Sequence, residues 1–370
     1  MHYVWKNGVD LPEVSQLKQV NAERITIKPF VPEADGYIFL HGVAIVEFKG
    51  RMYCAWAHNK VLENSDDEEV NYAVSDDGGK TWSECIPGNC SPESGVAVSH
   101  GVFLVHEEKL YFFAPQFKGQ LGTEMLKMSA YVFDEAAGKF HYLGVAMDER
   151  FWPINAPVRM ENGNYIMTGA YIDSDYTSSR NAAAVAISRG SDILHWDMVK
   201  LKRVDTVRVW GECCLIISGN NCKMFCREDS KKLKALYAES NDYGRTWSEL
   251  DLCDLPMIDS KPCSGTLSTG QHYLICSCAK DIASPDRPLT GDLRSSTING
   301  RDPLTIILTE KGEDQFSKIY TIDSGKVLSY PYAIELNQKL YVAYSSAVSN
   351  REGFNRNSAE LAIIDLREFQ

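Results

Sequence analysis

Glu212 and Arg227 stand 15 residues apart in the stretch GECCLIISGNNCKMFCRED, a spacing that one β-hairpin spans. A guanidinium is a planar fork matched to a carboxylate. His41 and His100 share the context His-Gly-Val, and an imidazole titrates near neutrality, which suits acid–base work. Trp152 with Asn155, Arg208, Lys261 with Cys263, and Tyr330 with Tyr332 occupy corresponding places further along the chain. Stacking faces beside hydrogen-bonding and titratable groups are what a sugar site needs. Each residue also has a plainer reading: a salt bridge at a sheet edge, a packed phenol, or an imidazole bonded to its neighbour.

These places correspond because a unit recurs. It has a small or polar start, a β-type apolar run, a turn with Gly, Asn or Lys, and a second β-type run. Copies begin at His41, His100, Asn155, Gly211, Cys263 and Tyr330, at intervals of 59, 55, 56, 52 and 67 residues. Each interval has room for four antiparallel strands, the size of a propeller blade. Segments such as YLICSC, LYVAYSS, AELAIIDL and PLTIILT are short and rich in β-branched and aromatic residues. KKLKALYAES, the segment nearest to a helical period, reads as a strand after a basic turn. Asp281 to Asp302 reads as loop, with Pro285, Pro288, Gly291 and Gly300 as breakers. The acidic stretch from Glu63 to Glu69 reads as a solvated connection.

A second repeat runs out of phase with the first. Ser75–Trp82 is SDDGGKTW and Ser240–Trp247 is SNDYGRTW, both fitting S-x-D-x-G-x-T-W. Worn copies start at Ser188 (SRGSDILHW) and Thr309 (TEKGEDQF). Ser and Asp side chains can bond to turn N–H groups, Gly permits the turn, and the aromatic packs back on the sheet. The motif resembles the Asp-box, or BNR repeat, of the sialidase superfamily. In that family the box is an outer hairpin remote from the active site, so Asp77, Asp242, Trp82 and Trp247 read as structural.

The resemblance implies an all-β fold, a six-bladed β-propeller of four-stranded antiparallel blades forming a single domain over 1–370. The last copy shows three strands, and RITIKPF from Arg24 to Phe30 is expected to supply the fourth and close the ring. A seventh blade within the first forty residues is the alternative. The starts of the inner strands then converge on a funnel. True sialidases carry a Glu at an inner-strand start and an Arg about one hairpin later, matched here by Glu212 and Arg227. The Glu assists a Tyr nucleophile, expected at Tyr330 with Tyr332 as the alternative. A phenol with a carboxylate base is nucleophilic without setting a carboxylate against an anionic sugar.

The chain also departs from that pattern. Sialidases open the first blade with an Arg-Ile-Pro type motif, whereas Phe39 to Gly42 reads Phe-Leu-His-Gly, with His41 where the Arg is expected. The usual Asp acid of the next loop has no clear counterpart; Asp66 and Asp67 lie in the acidic run. Arg301 is a candidate second Arg, and Arg208 and Arg287 are weaker ones. The chain from Tyr37 to Leu366 resembles more closely a His-containing branch of rhamnosidases and glucuronate lyases, through His41, Glu47, Gly50, Tyr53, Trp56 and Glu63, and through YPYAIELNQKLYVAYS. That branch implies His41 and His100 as acid–base groups, with His58 a weaker candidate. The expected function is an exo-glycosidase acting on acidic or deoxy-sugar-capped glycans. The expected catalytic residues are His41, His100, Glu212 and Tyr330, with Arg227, Trp152, Asn155 and Arg301 binding substrate. The alternatives are a polysaccharide lyase acting at glucuronate and a non-catalytic glycan-binding propeller.

Composition sets the outer limits. Fifty acidic against 38 basic residues give a net charge of -12, which argues against a general nucleic-acid binder. No run of ~18 apolar residues suggests a membrane span. No signal-peptide pattern opens the sequence, so the expected location is cytoplasmic, or outside the cytoplasm if a signal has been removed. The eleven cysteines are read mostly as small buried hydrophobes. His272, Cys276 and Cys278, or Cys222 and Cys226, lack the short spacing of a zinc knuckle. No cofactor or metal is expected from the motifs, and an axial calcium ion and the oligomeric state stay open.

Overall fold

The computed structural model describes residues 1–61, 63–88, 90–118, 125–173, 181–284, 301–347 and 357–370. Among the described residues, strand makes up 56% and helix 3%. The strands form six sheets, one per blade of a six-bladed β-propeller. Arg287, Pro285, Pro288, Gly291 and Gly300 lie outside the described residues.

Blade one runs Phe39–Phe48, Arg51–Asn59, Glu69–Ser75 and Ile86–Pro87, from the axis outward. Blade four repeats the pattern with Val209–Ser218, Asn221–Glu228, Lys234–Ser240 and Asp251–Pro256. In blades two and three the innermost strand is split: Ala97–Val98 with Val102–His106, and Phe151–Pro153 with Val158–Arg159. Blade five begins at Cys263–Thr266. In blade six Val327–Leu336, Lys339–Ala347 and Ser358–Asp365 take their outer fourth strand from Ala22–Lys28, paired antiparallel with Ser358–Asp365.

The first 28 residues clasp three blades from outside. His2 bridges to Cys253 on blade four, Trp5 to Phe316 on blade five, and Lys18–Gln19 runs parallel to Phe316–Asp323 of blade five. The chain then reaches blade six, so these residues build no seventh blade.

Burial explains the sequence pattern. A second strand is covered on both faces by neighbouring blades, so Arg51–Asn59 and Lys339–Ala347 are buried at every position after the first. Such strands read as nearly continuous apolar runs rather than alternating ones. Outer strands such as Lys139–Met147 and Asp192–Lys200 are largely open to solvent and tolerate polar residues. Trp56, Tyr72, Phe112, Phe113 and Tyr131 pack fully buried between blades one, two and three. Each large aromatic contributes about 1.5–3 kcal/mol on burial.

The two Asp-boxes form the same hairpin between third and fourth strands. Asp77 Oδ1 accepts from Lys80 N at 3.0 Å and Thr81 N at 2.9 Å, and Trp82 Nε1 donates to Gly79 O at 2.9 Å. Asp242 repeats this with Arg245 N at 3.0 Å and Thr246 N at 2.8 Å, and Trp247 Nε1 donates to Gly244 O at 2.8 Å. In the worn copy of blade three the aspartate, Asp192, stands four residues before the Trp instead of five; its Oδ1 accepts from Leu194 N at 3.1 Å, and Trp196 Nε1 still donates to Ile193 O at 2.6 Å.

Candidate functional site

In five blades the inner strand is interrupted at one level by extra residues. Register jumps between His41 and Ala44 in blade one, Val209 and Cys213 in blade four, and Ser329 and Tyr332 in blade six. In blade two the break falls between Val98 and Val102, around His100, and in blade three between Pro153 and Val158, around Asn155. Blade five starts at this level with Cys263, two residues after Lys261. A bulge bends the strand and re-aims a side chain. Here the bulges turn His41, His100, Glu212 and Tyr330 toward one place.

The backbone at three bulges is left-handed: Gly42 at φ 67°, Gly211 at φ 109° and Tyr330 at φ 56°. At Gly42 a Cβ would stand 2.3 Å from His100 Cγ, so glycine there also admits the imidazole. Tyr330 has no such licence. A bulky residue held there costs about 1–3 kcal/mol and persists only where its surroundings fix it.

Tyr330 donates its hydroxyl hydrogen to Glu212 Oε1. The other carboxylate oxygen of Glu212 accepts from Arg227 Nη1 at 2.9 Å. The His41 ring lies 3.7 Å from the Tyr330 ring, centroid to centroid, with Nδ1 3.0 Å from Ser345 Oγ. His100 is 5.7 Å from Tyr330 and 5.5 Å from Trp152, which stacks on Phe117 at 5.9 Å. The Arg301 guanidinium lies 5.8 Å from the Tyr330 ring and donates to Ser329 Oγ at 3.1 Å and Asp259 O at 2.7 Å. Arg227 Nε, His100 Nδ1 and Trp152 Nε1 are buried and have no hydrogen-bond partner among the described residues.

Burial governs the charges. It pushes the His100 imidazole down to about 3, helped by Lys261. It also pushes His41 well below its ordinary value, with His100 and the cations Arg301, Lys261 and Arg227 adding to the effect. An ionisation near pH 6.5 therefore does not come from these imidazoles; both are neutral at pH 7. Tyr330 is raised well above the usual phenol range by burial and by Glu212, against the pull of Arg227 and Arg301. Burial works against the Arg227 charge, but Glu212 and Tyr330 outweigh it and hold the guanidinium protonated.

A family profile described as a BNR repeat-like domain matches residues 50–342. The chain belongs to this family. Among solved structures, this BNR repeat-like propeller is similar to a Dyadobacter fermentans protein of unknown function, at 12% identity and TM-score 0.67 over 97% of this chain and 100% of that one. The NanB sialidase of Streptococcus pneumoniae aligns at 12% identity and TM-score 0.64 over 95% of this chain and 71% of that one. Trypanosoma rangeli sialidase aligns at 16% identity and TM-score 0.62 over 97% of this chain and 60% of that one. The fold is thus that of the sialidase superfamily of BNR-repeat propellers. Among curated proteins no sequence matches the chain.

The BNR repeat-like propeller gathers His41, His100, Trp152, Glu212, Arg227, Arg301 and Tyr330 into one cluster at the inner strands. Asn155 lies beside it, but both amide hydrogens go to main-chain carbonyls, Cys213 O at 2.8 Å and Pro262 O at 3.2 Å. Arg208 is exposed. His58 sits apart, stacked on Tyr37 at 3.7 Å and bonded to Asn71 at 2.9 Å. Tyr332 is buried under Lys261 rather than bonded to Glu212.

The acidic connection after blade one's second strand is not uniformly solvated. Asp66 and Asp67 are exposed, but Glu68 is 2% exposed, and burial lifts its carboxyl to about 8. Glu63, half-buried, lies within electrostatic reach of both Glu68 and the Tyr330 phenol. A run of like charges hides which members turn inward. Among the described residues no cluster of His, Cys, Asp and Glu is placed to hold a metal ion, and no helix is long and apolar enough to cross a membrane.

Proposed function

We propose that this protein is an exo-acting glycosidase-like enzyme whose substrate is a glycan capped by a carboxylate-bearing or deoxy sugar. One observation carries the reading: Tyr330 donates to one oxygen of Glu212 while Arg227 holds the other. Glu212 takes the phenolic proton as Tyr330 oxygen attacks the anomeric carbon and the bond to the glycosidic oxygen breaks. The departing oxygen takes a proton from Glu63 or from water. Water then attacks the anomeric carbon and gives a proton back to Glu63 or to solvent, the bond to Tyr330 breaks, and Glu212 returns the phenolic proton to the tyrosine oxygen. Arg227 and Arg301 flank the phenol, and two guanidiniums in a dry site suit a carboxylate. The partnerless Arg227 Nε, His100 Nδ1 and Trp152 Nε1 are groups a bound sugar would satisfy.

A second reading has its own support. Both imidazoles are neutral at pH 7, and a neutral His100 beside cationic groups suits abstraction of the proton α to a uronate carboxylate, followed by β-elimination. Incubation with sialylated, rhamnosylated and glucuronate-capped oligosaccharides, with product masses and ultraviolet absorbance read out, separates the two. Hydrolysis adds water and leaves no chromophore; elimination leaves an unsaturated uronate. On a hydrolysed substrate, Tyr330→Phe and Glu212→Gln should each lower kcat by about 10²-fold or more. Full turnover in Tyr330→Phe refutes the tyrosine route. No product from any of the glycans leaves a binding propeller.

A further inference from the structure

Lys261 has no exposed surface, 0%, and stands just before the inner strand of blade five, Cys263–Thr266. An ammonium removed from water needs partners that repay its desolvation. Its Nζ donates to Pro331 O at 2.6 Å and Asn155 Oδ1 at 3.1 Å, with the Tyr332 ring centroid 3.5 Å away. Pro331 directly follows Tyr330. Asn155 passes the connection on: its Nδ2 donates to Cys213 O, and Cys213 directly follows Glu212. Thr168 Oγ1 supports the same carbonyl at 2.9 Å.

We infer that Lys261 and Asn155 are positioning residues, a relay that locks the main chain after Tyr330 to the main chain after Glu212 and so sets the phenol–carboxylate contact. The inference rests on reading Tyr330 and Glu212 as the reactive pair. Three observations fit it. Tyr330 and Glu212 belong to blades six and four, with blade five between them, so no shared strand fixes their separation. Tyr330 is in a backbone region it leaves unless constrained, and Lys261 holds the carbonyl next to it. A charged donor makes a bond roughly twice as strong as a neutral one, which accounts for a lysine where a neutral amide would fit the same carbonyl. Burial lowers this ammonium to about 8, so the relay weakens above that pH.

The test is Lys261→Met, which keeps the length of the side chain and removes its donors. Two quantities are read against the parent: the ionisation of Tyr330, as the ultraviolet titration difference between each protein and its Tyr330→Phe counterpart, and steady-state kinetics on a substrate from the glycan panel. A freed Tyr330 should swing off Glu212 and ionise near pH ~10, and kcat should fall at least ~10-fold with KM within ~2-fold. A thermal midpoint unchanged while the phenol shifts separates positioning from simple loss of packing. Parent-like phenol titration and kcat in Lys261→Met overturn the relay. A shifted phenol in a protein that turns over no glycan supports the relay and refutes the glycosidase reading; turnover in the parent with no shift does the reverse. Should Lys261→Met fail to fold, the same measurements on Asn155→Ala decide, because that change removes the link between Cys213 and Lys261, together with one bond to Pro262 O, and leaves the Lys261 bond to Pro331 O in place.

Discussion

At the scale of single residues, the funnel combines groups that would repel each other in isolation. Arg227 and Arg301 are close enough that the first lowers the second, after burial itself, and Glu212 is the carboxylate that tolerates both. If these guanidiniums bind a substrate carboxylate, Arg227→Lys keeps the charge and loses the fork. Activity on acidic glycans should then fall about tenfold or more relative to a neutral analogue; equal losses on both remove the carboxylate from the reading. His100 gives a second expectation, about stability. Its folded pKa of about 3 lies below the unfolded value of ~6.5. Its contribution is therefore present above pH ~6.5 and is lost as pH falls toward 3. A thermal midpoint that stays level from pH 7 to 4 would contradict this. Sequence singled out His41, His100, Glu212 and Tyr330 because they sit at or beside repeat starts; Arg227 stands one hairpin later, and Arg301 lies outside the repeat starts. It did not show that His41 and His100 are neutral, because spacing carries no information about burial.

At the scale of elements, the bulge is the unit that makes the site. The strands were legible as short apolar runs between turn signals, and the blade count followed from their recurrence. The interruptions were visible only as His-Gly at 41–42 and 100–101 and Gly-Glu at 211–212; at Tyr330 no glycine marks the left-handed turn. The buried face of the 63–69 connection was hidden by its charge. There Glu68 is held near 8, above the unfolded ~4.3, so the folded state takes up a proton as pH falls through 8. Its sign is opposite to that of His100: stability is full below ~4.3 and declines as pH rises through 8. Glu68→Gln should flatten that decline between pH 5 and 8 by denaturant unfolding, and an unchanged slope would show that Glu68 stays ionised. The Asp-box hairpins predict a different outcome. Asp77→Ala and Asp242→Ala each remove the acceptor for two turn N–H groups and a threonine hydroxyl. Each should lower the thermal midpoint by a few degrees, roughly 2–4 °C, and leave kcat unchanged. Loss of turnover at an unchanged midpoint would move the boxes into the site.

At the scale of the whole molecule, six blades shield one another's edges only if the ring is closed. Ala22–Lys28 makes that closure by lying against Ser358–Asp365, and Arg24 Nη2 adds a bond to Ile322 O on blade five at 2.6 Å. Removing residues 1–28 exposes the edge of Ser358–Asp365 and the apolar side of blade five. The shortened chain should then lose cooperative unfolding or associate through the bared strand; a monomer with the parent's midpoint would show the clasp to be dispensable. The resemblance to sialidases made this architecture legible. The path of the first twenty residues across blades four and five was not, since two-residue strands and single bridges leave no periodic pattern.

The same clasp sets a timetable during synthesis on the ribosome. Ala22 pairs with Ile364, so the strand that finishes blade six is translated about 340 residues ahead of its partner. At ~5–20 residues per second the wait is roughly 20–70 s. Through that interval five blades can form in order along the nascent chain while the seam between the sixth and the first stays open, and the early strand has no native partner. The funnel inherits the delay. Tyr330 stands on the innermost strand of the blade completed last and Glu212 on a blade completed earlier, so the contact between them waits at least until the chain past Leu336 has emerged.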